Sequence, residues 1–143
     1  MMKKWVAAAA LVSTAIVPGA APAQTIYAQR TIAGQPLVAP PGPMEVTTTR
    51  IAFPAQTAIP MHMHFWPRYV YVESGEVRVT VLDSGDPRTF KAGQLIVEPL
   101  QKWHSVVVAK GTVLIAVEQV PPGGCNTIKP PAPDSPNDQC PRP

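Results

Sequence analysis

Pro60-Met61-His62-Met63-His64-Phe65-Trp66-Pro67-Arg68-Tyr69-Val70-Tyr71-Val72-Glu73-Ser74-Gly75 carries two of the chain's three histidines, His62 and His64, at i and i+2. In an extended segment that spacing sends both imidazoles out of one face of a strand. The third, His104, closes a second segment, Gly93-Gln94-Leu95-Ile96-Val97-Glu98-Pro99-Leu100-Gln101-Lys102-Trp103-His104. Neutral imidazole is the commonest protein ligand for Zn, Cu, Fe and Ni, and three imidazoles on adjacent strands leave coordination positions open for water or substrate. A lone histidine is more often a satisfied core or surface residue. All three fall in two segments that a barrel would bring together, and that coincidence favours a metal.

Outward from this stretch the sequence reads as strands. Val70 and Val72 alternate with Tyr69, Tyr71 and Glu73; Ser74-Gly75 supplies a turn; Val77, Val79 and Val81 alternate with Glu76, Arg78 and Thr80. The pattern predicts a hairpin over residues 69–82 with one face buried. Asp83-Ser84-Gly85-Asp86-Pro87 is a second turn by its chemistry. Short strands are expected at 88–91 and 94–98, longer ones at 104–109 and 112–120, and a β-branched one at 44–53 that Pro54 ends. No window after the first 23 residues shows a helical period. Seven or so short strands with regular turns predict an all-β sandwich or barrel.

The ends differ in composition. Met1-Met2-Lys3-Lys4-Trp5, the apolar run Val6 to Val17 and Ala21-Pro22-Ala23 read as a secretory signal peptide over residues 1–23. A membrane anchor would need roughly 20 apolar residues, and Pro18-Gly19 interrupts the run too early. Cleavage takes most of the formal charge of +3 with it, since Lys3 and Lys4 belong to the leader. No Lys/Arg run then remains to mark nucleic acid or an anionic membrane surface. A soluble protein, periplasmic or secreted, is expected. Residues 24–43, with Pro36, Pro40, Pro41 and Pro43, form an N-terminal arm with room for a short edge strand near Thr31-Ile32. Residues 121–143 hold eight of the nineteen prolines and read as an extended, poorly packed tail. Cys125 and Cys140 lie in that tail. An oxidising compartment would let them pair across a loop worth roughly 3 kcal/mol.

Residues 44–120 resemble the cupin superfamily, whose first motif runs G-x5-H-x-H-x(3,4)-E-x6-G and whose second runs G-x5-P-x-G-x2-H-x3-N. His62 and His64 match the paired histidines, Gly75 the closing glycine, and Gly93, Pro99 and His104 the second motif. The resemblance implies a single jelly-roll barrel (a double-stranded β-helix) with an interior metal site, commonly a homodimer. The metal is expected to be a divalent transition ion, one of Fe, Mn, Zn, Ni or Cu.

Four positions depart from the motifs. Gln56 and Gln101 stand for glycines, Val108 for the asparagine and Arg68 for the glutamate ligand. The last replaces an oxygen donor by a cation that cannot coordinate. Two readings stay open. Arg68 faces the interior and clamps the carboxylate of a small anionic substrate in a bidentate fork, or it points outward and pairs with Glu73 or Glu76. Trp66 and Trp103, each within two residues of a candidate ligand, are expected to wall the pocket and contact substrate, although core packing would also account for them. Met61 and Met63 belong on the opposite strand face.

Three functions are compatible with these residues. The first is a metal-dependent oxygenase or isomerase acting on a small anionic molecule. The second is a non-catalytic module holding a small ligand or a metal in the same cavity. The third is a structural domain in which the histidines are relics. No carboxylate or further histidine at a motif position offers itself as a general base.

Overall fold

The computed structural model describes residues 24–132. The leader at 1–23 and Cys140, with its expected pairing to Cys125, lie outside the described residues. Among the described residues there are nine strands and no helix: β1 (Glu45–Phe53), β2 (Thr57–His64), β3 (Arg68–Ser74), β4 (Glu76–Val81), β5 (Pro87–Lys91), β6 (Leu95–Val97), β7 (His104–Val108), β8 (Thr112–Val120) and β9 (Thr127–Ile128). The all-β expectation is met, and the strands expected at 44–53, 69–82, 88–91, 94–98, 104–109 and 112–120 are present to within a residue or two.

The strands form two antiparallel sheets, ordered β1-β8-β3-β6 and β5-β4-β7-β2-β9. Their inner faces meet in one apolar core. Val70, Val72, Ile96, Leu114 and Ala116 come from the first sheet, and Val77, Val79, Val81, Val106 and Val108 from the second. Each such valine, leucine or isoleucine side chain, fully buried, contributes on the order of 1.5–3 kcal/mol of transfer free energy.

The pairing expected around Ser74-Gly75 is corrected. β3 and β4 do not form a hairpin; they belong to different sheets. Alternation fixes which side chains face inward, but not which strand lies alongside, and here the chain turns a corner from one sheet to the other. The Lys110-Gly111 turn between β7 and β8 does the same, whereas β4 and β5 are a true hairpin with Val77 opposite Phe90.

Gly75 makes the first corner possible. Its φ is +81°, and a Cβ there would lie 2.3 Å from Thr112 Oγ1 and 2.7 Å from Thr112 Cα. Thr112 cannot retreat, because its buried hydroxyl ties this corner to Glu76, accepting from the amide at 3.1 Å and donating to the carbonyl at 3.2 Å. Gly75→Ala is therefore expected to cost about 3 kcal/mol through strain and overpacking combined. Urea denaturation checks it; a change under about 0.5 kcal/mol, the usual surface value, would show that the corner gives way freely.

The tail also departs from expectation. The chain does not leave the core at Val120. Asn126 and Ile128 are buried, and β9 extends the second sheet, with Met63 opposite Ile128 and His64 opposite Thr127. A two-residue strand in a proline-rich run has too little periodicity to be recognised. The N-terminal arm makes a turn whose Ile32 amide donates to the Val97 carbonyl at 2.9 Å, so it is clipped to β6.

Candidate metal centre

One end of the core is polar. β2 ends there with His64, β7 begins with His104, β3 begins with Arg68, and Glu118 and Glu98 lie near the ends of β8 and β6. The local cause on β2 is Pro60. Proline has no amide hydrogen to give a ladder and is tolerated at bulges, and the β2–β7 register shifts between Ile59, opposite Val106, and His62, opposite His104. The extra residue flips the parity of the strand. Ile59 packs against the core, and it is His62 and His64, rather than Met61 and Met63, that continue its inward face.

His62, His64 and His104 are 7%, 1% and 0% exposed, and their candidate ligand atoms all lie within 4.8 Å of one another. Two of the rings are oriented by backbone. His62 Nδ1 is 2.8 Å from the Pro60 carbonyl and His104 Nδ1 is 2.9 Å from the Lys102 carbonyl. A carbonyl can only accept, so each Nδ1 carries the proton and each Nε2 presents a lone pair.

Burial pushes the His62 pKa down, reinforced by His64 and Arg68 and only partly opposed by the Pro60 carbonyl and Glu98. Burial likewise lowers His104, to about 4, against the pull of Glu98 and the Lys102 carbonyl. Both rings are therefore neutral at pH 7, the form that binds metal.

The acid dependence follows in sign. Between about 4 and the ordinary 6.5, the unfolded chain takes up a proton that folded His104 refuses. Stability is full above that window and falls as pH drops through it, by about 3 kcal/mol for a shift of this size. His62 adds to the fall in the same direction. Denaturation of metal-free protein at pH 7 and pH 4 should show the loss; equal stability would contradict the burial of these rings in neutral form.

Glu98 is the residue that sequence reading missed. It is buried, and its Oε2 lies 2.6 Å from His64 Nε2, 3.3 Å from Arg68 Nε and 4.0 Å from His104 Nε2. Desolvation would raise its pKa. The charges of His64, Arg68 and His104 and the short approach to His64 outweigh that and hold it down at about 2. A signal was present. Ile96 faces the core, and two residues on, the same face of the run ends in Glu98.

Arg68 faces the interior side of β3, in step with Val70 and Val72. Its Nη1 binds Glu118 Oε1 and its Nε approaches Glu98. The outward alternative is corrected: Glu73 binds Arg50, at 2.6 Å, and Arg68 is paired with neither Glu73 nor Glu76. Trp103 lines a groove of about 290 Å³ with Met61, Leu82 and Pro130. Trp66 stands just beyond β2, where its amide donates to Asn126 Oδ1 at 2.8 Å. Gln101, at a motif glycine position, holds φ at +53°, and its amide donates to the His64 carbonyl at 2.7 Å. The backbone conformation that the glycine would serve is present without it. Val108, at the asparagine position, is fully buried in the core.

Several buried polar atoms here make no hydrogen bond: both ring nitrogens of His64, His104 Nε2, Glu98 Oε2 and Arg68 Nε. The approach of His64 to Glu98 is short, yet the two groups are not aligned as donor and acceptor. Orphaned polar atoms in a native interior call for an explanation. Lone pairs converging from imidazoles and a carboxylate suit a cation between them, so the donor set fits a divalent metal.

The cupin domain family model matches residues 49–123. Among solved structures, an RmlC-like cupin from Shewanella frigidimarina is similar at 26% identity over 54% of this chain and 68% of that one, with a TM-score of 0.47. Oxalate decarboxylase from Bacillus subtilis at pH 4.6 is similar at 20% identity over 59% of this chain and 24% of that one, with a TM-score of 0.50. The latter likeness concerns the fold. No curated protein sequence matches the chain.

Proposed function

This chain belongs to the cupin domain family, and from that premise we propose that it is an exported protein holding one divalent first-row metal on His62, His64 and His104. The metal site would serve to bind, and as an oxygenase or isomerase to transform, a small anionic molecule. The observation that carries the reading is the convergence of three buried imidazoles with their ligand atoms within 4.8 Å. Bound there, a divalent metal would supply Lewis acidity and an open coordination position.

The protein's own groups have defined tasks in this reading. The Pro60 and Lys102 carbonyls hold the tautomers of His62 and His104. The apolar core behind the site excludes water. Arg68 cannot serve as a free carboxylate clamp while its guanidinium is bound to Glu118 and faces Glu98, so the anion is expected to engage the metal directly. Trp66 remains the candidate for contact with the ligand.

The non-catalytic module is the second reading, and the engagement of Arg68 favours it, because a charge spent on internal carboxylates is not spent on substrate. In either reading the chain would act in the periplasm or outside the cell, as a homodimer. β1 supports the dimer: it is an edge strand, exposed on both faces along most of its length.

Calorimetric titration with a panel of small carboxylates, on metal-loaded and metal-free protein, tests the proposed function. Binding is expected only in the loaded form. By linkage the anion should tighten metal binding by the same factor. Equal carboxylate affinity with and without metal would overturn the reading.

A further inference from the structure

We propose that Glu98 is a fourth, carboxylate ligand of the metal, displaced by one strand from the position its family motif assigns, and that Arg68 is its positioning residue. The inference rests on the three-histidine reading and deepens it.

The displacement is visible in the strand register. Tyr69 lies opposite Val97 across β3 and β6, and the Glu98 amide donates to the Arg68 carbonyl at 3.0 Å. Position 98 is thus the immediate cross-strand neighbour of position 68. Such neighbours have Cα atoms only about 4.5–5.5 Å apart, so a carboxylate on either strand reaches the same space above the histidines. At position 68 this chain carries arginine; at position 98 it carries the glutamate. The acid is moved, not lost.

Three observations favour coordination over a simple ion pair. Glu98 Oε2 sits among the lone pairs, 2.6 Å from His64 Nε2 and 4.0 Å from His104 Nε2. Ligand atoms at 2.0–2.2 Å from a shared ion lie roughly 3–3.5 Å apart, so the two distances straddle the required value. Second, Oε2 and His64 Nε2 lie within ion-pair distance, yet neither they nor His104 Nε2 are aligned as donor and acceptor in a regular hydrogen bond. Third, Arg68 reaches Glu98 through Nε at 3.3 Å while its Nη1 is held by Glu118. The carboxylate therefore lies between the guanidinium and the imidazoles. That removes the repulsion which an arginine beside a dication would otherwise bring. A set of three imidazoles and one carboxylate suits Zn, Fe, Ni or Mn better than Cu(I).

The test uses the full mature chain loaded with Co²⁺, whose visible d–d spectrum reports ligand number and type. Glu98→Gln is expected to weaken Co²⁺ binding beyond the roughly 10–100-fold that loss of an outer partner costs, and to change the spectrum. Arg68→Lys keeps the charge without the fork and should weaken binding while leaving the spectrum of three nitrogens and one oxygen intact. Should Glu98→Gln not fold, Glu98→Asp reads the same point: a carboxylate one methylene short must still shift the d–d bands. Unchanged affinity and spectrum in Glu98→Gln, or an unchanged spectrum in Glu98→Asp, would overturn the assignment while leaving the three-histidine site standing, provided His104→Ala abolishes binding. Failure of the wild type to bind Co²⁺ would remove both.

Discussion

His104→Ala is expected to abolish stabilisation by divalent metal. At a metal concentration about 1,000 times its Kd, a single-site protein gains about 4 kcal/mol, and the variant should gain none. His104 lies opposite His62 on the neighbouring strand, is fully buried, and has its Nδ1 tied to the Lys102 carbonyl so that Nε2 points at the other two rings. The metal-free variant should also lose much of the acid sensitivity between pH 6.5 and 4, because the ring that resists protonation is gone. Thermal denaturation with and without metal, at both pH values, reads the two effects. Metal stabilisation equal to wild type in His104→Ala, and likewise in His62→Ala, would show that the rings do not share an ion.

Arg68→Met is expected to destabilise the metal-free protein by about 3 kcal/mol and the metal-loaded protein by less. The substitution keeps an unbranched stem and removes the charge, so Glu98, buried and ionised, and Glu118, half-buried, lose their common cation. Removing one partner of a buried pair costs on the order of 3–5 kcal/mol because the other is left uncompensated. An exposed pair would cost about 0–1 kcal/mol, and that difference decides whether Arg68 belongs to the interior. A metal ion beside Glu98 would supply the missing positive charge, which is why loading should narrow the gap. Denaturant titrations of wild type and variant, each with and without metal, give the four stabilities; an effect under 1 kcal/mol in both states would place Arg68 outside the network.

Much of the site is legible in the amino-acid sequence. The i, i+2 histidines, the second-segment histidine and the valine alternation are enough to place three candidate ligands on two strands of a barrel. Parity contains more than the pattern first gives. Counting back from Val70 and Val72 puts Arg68 inward, and counting on from Ile96 does the same for Glu98. What parity cannot supply is the partner. Glu118 is fifty positions from Arg68 in sequence and opposite it in space, and only the crossing of the chain between two sheets brings them together. The same crossing defeats the hairpin reading at Gly75, where the turn chemistry is right and the neighbouring strand is not. The short strand β9 escapes for another reason: its two residues gain their stability from Ile128 burying itself beside Met63, a tertiary effect that a proline-rich local sequence does not announce.

The three histidines are expected to hold a metal in the working protein, and the most direct test is the metal content of the protein isolated from its native host without chelators, measured by inductively coupled plasma mass spectrometry against protein concentration. One first-row transition metal per chain is the expected result, falling to background in the His62→Ala, His64→Ala and His104→Ala proteins prepared alongside. Background metal in the wild type, or one ion per chain in all three variants, would contradict it.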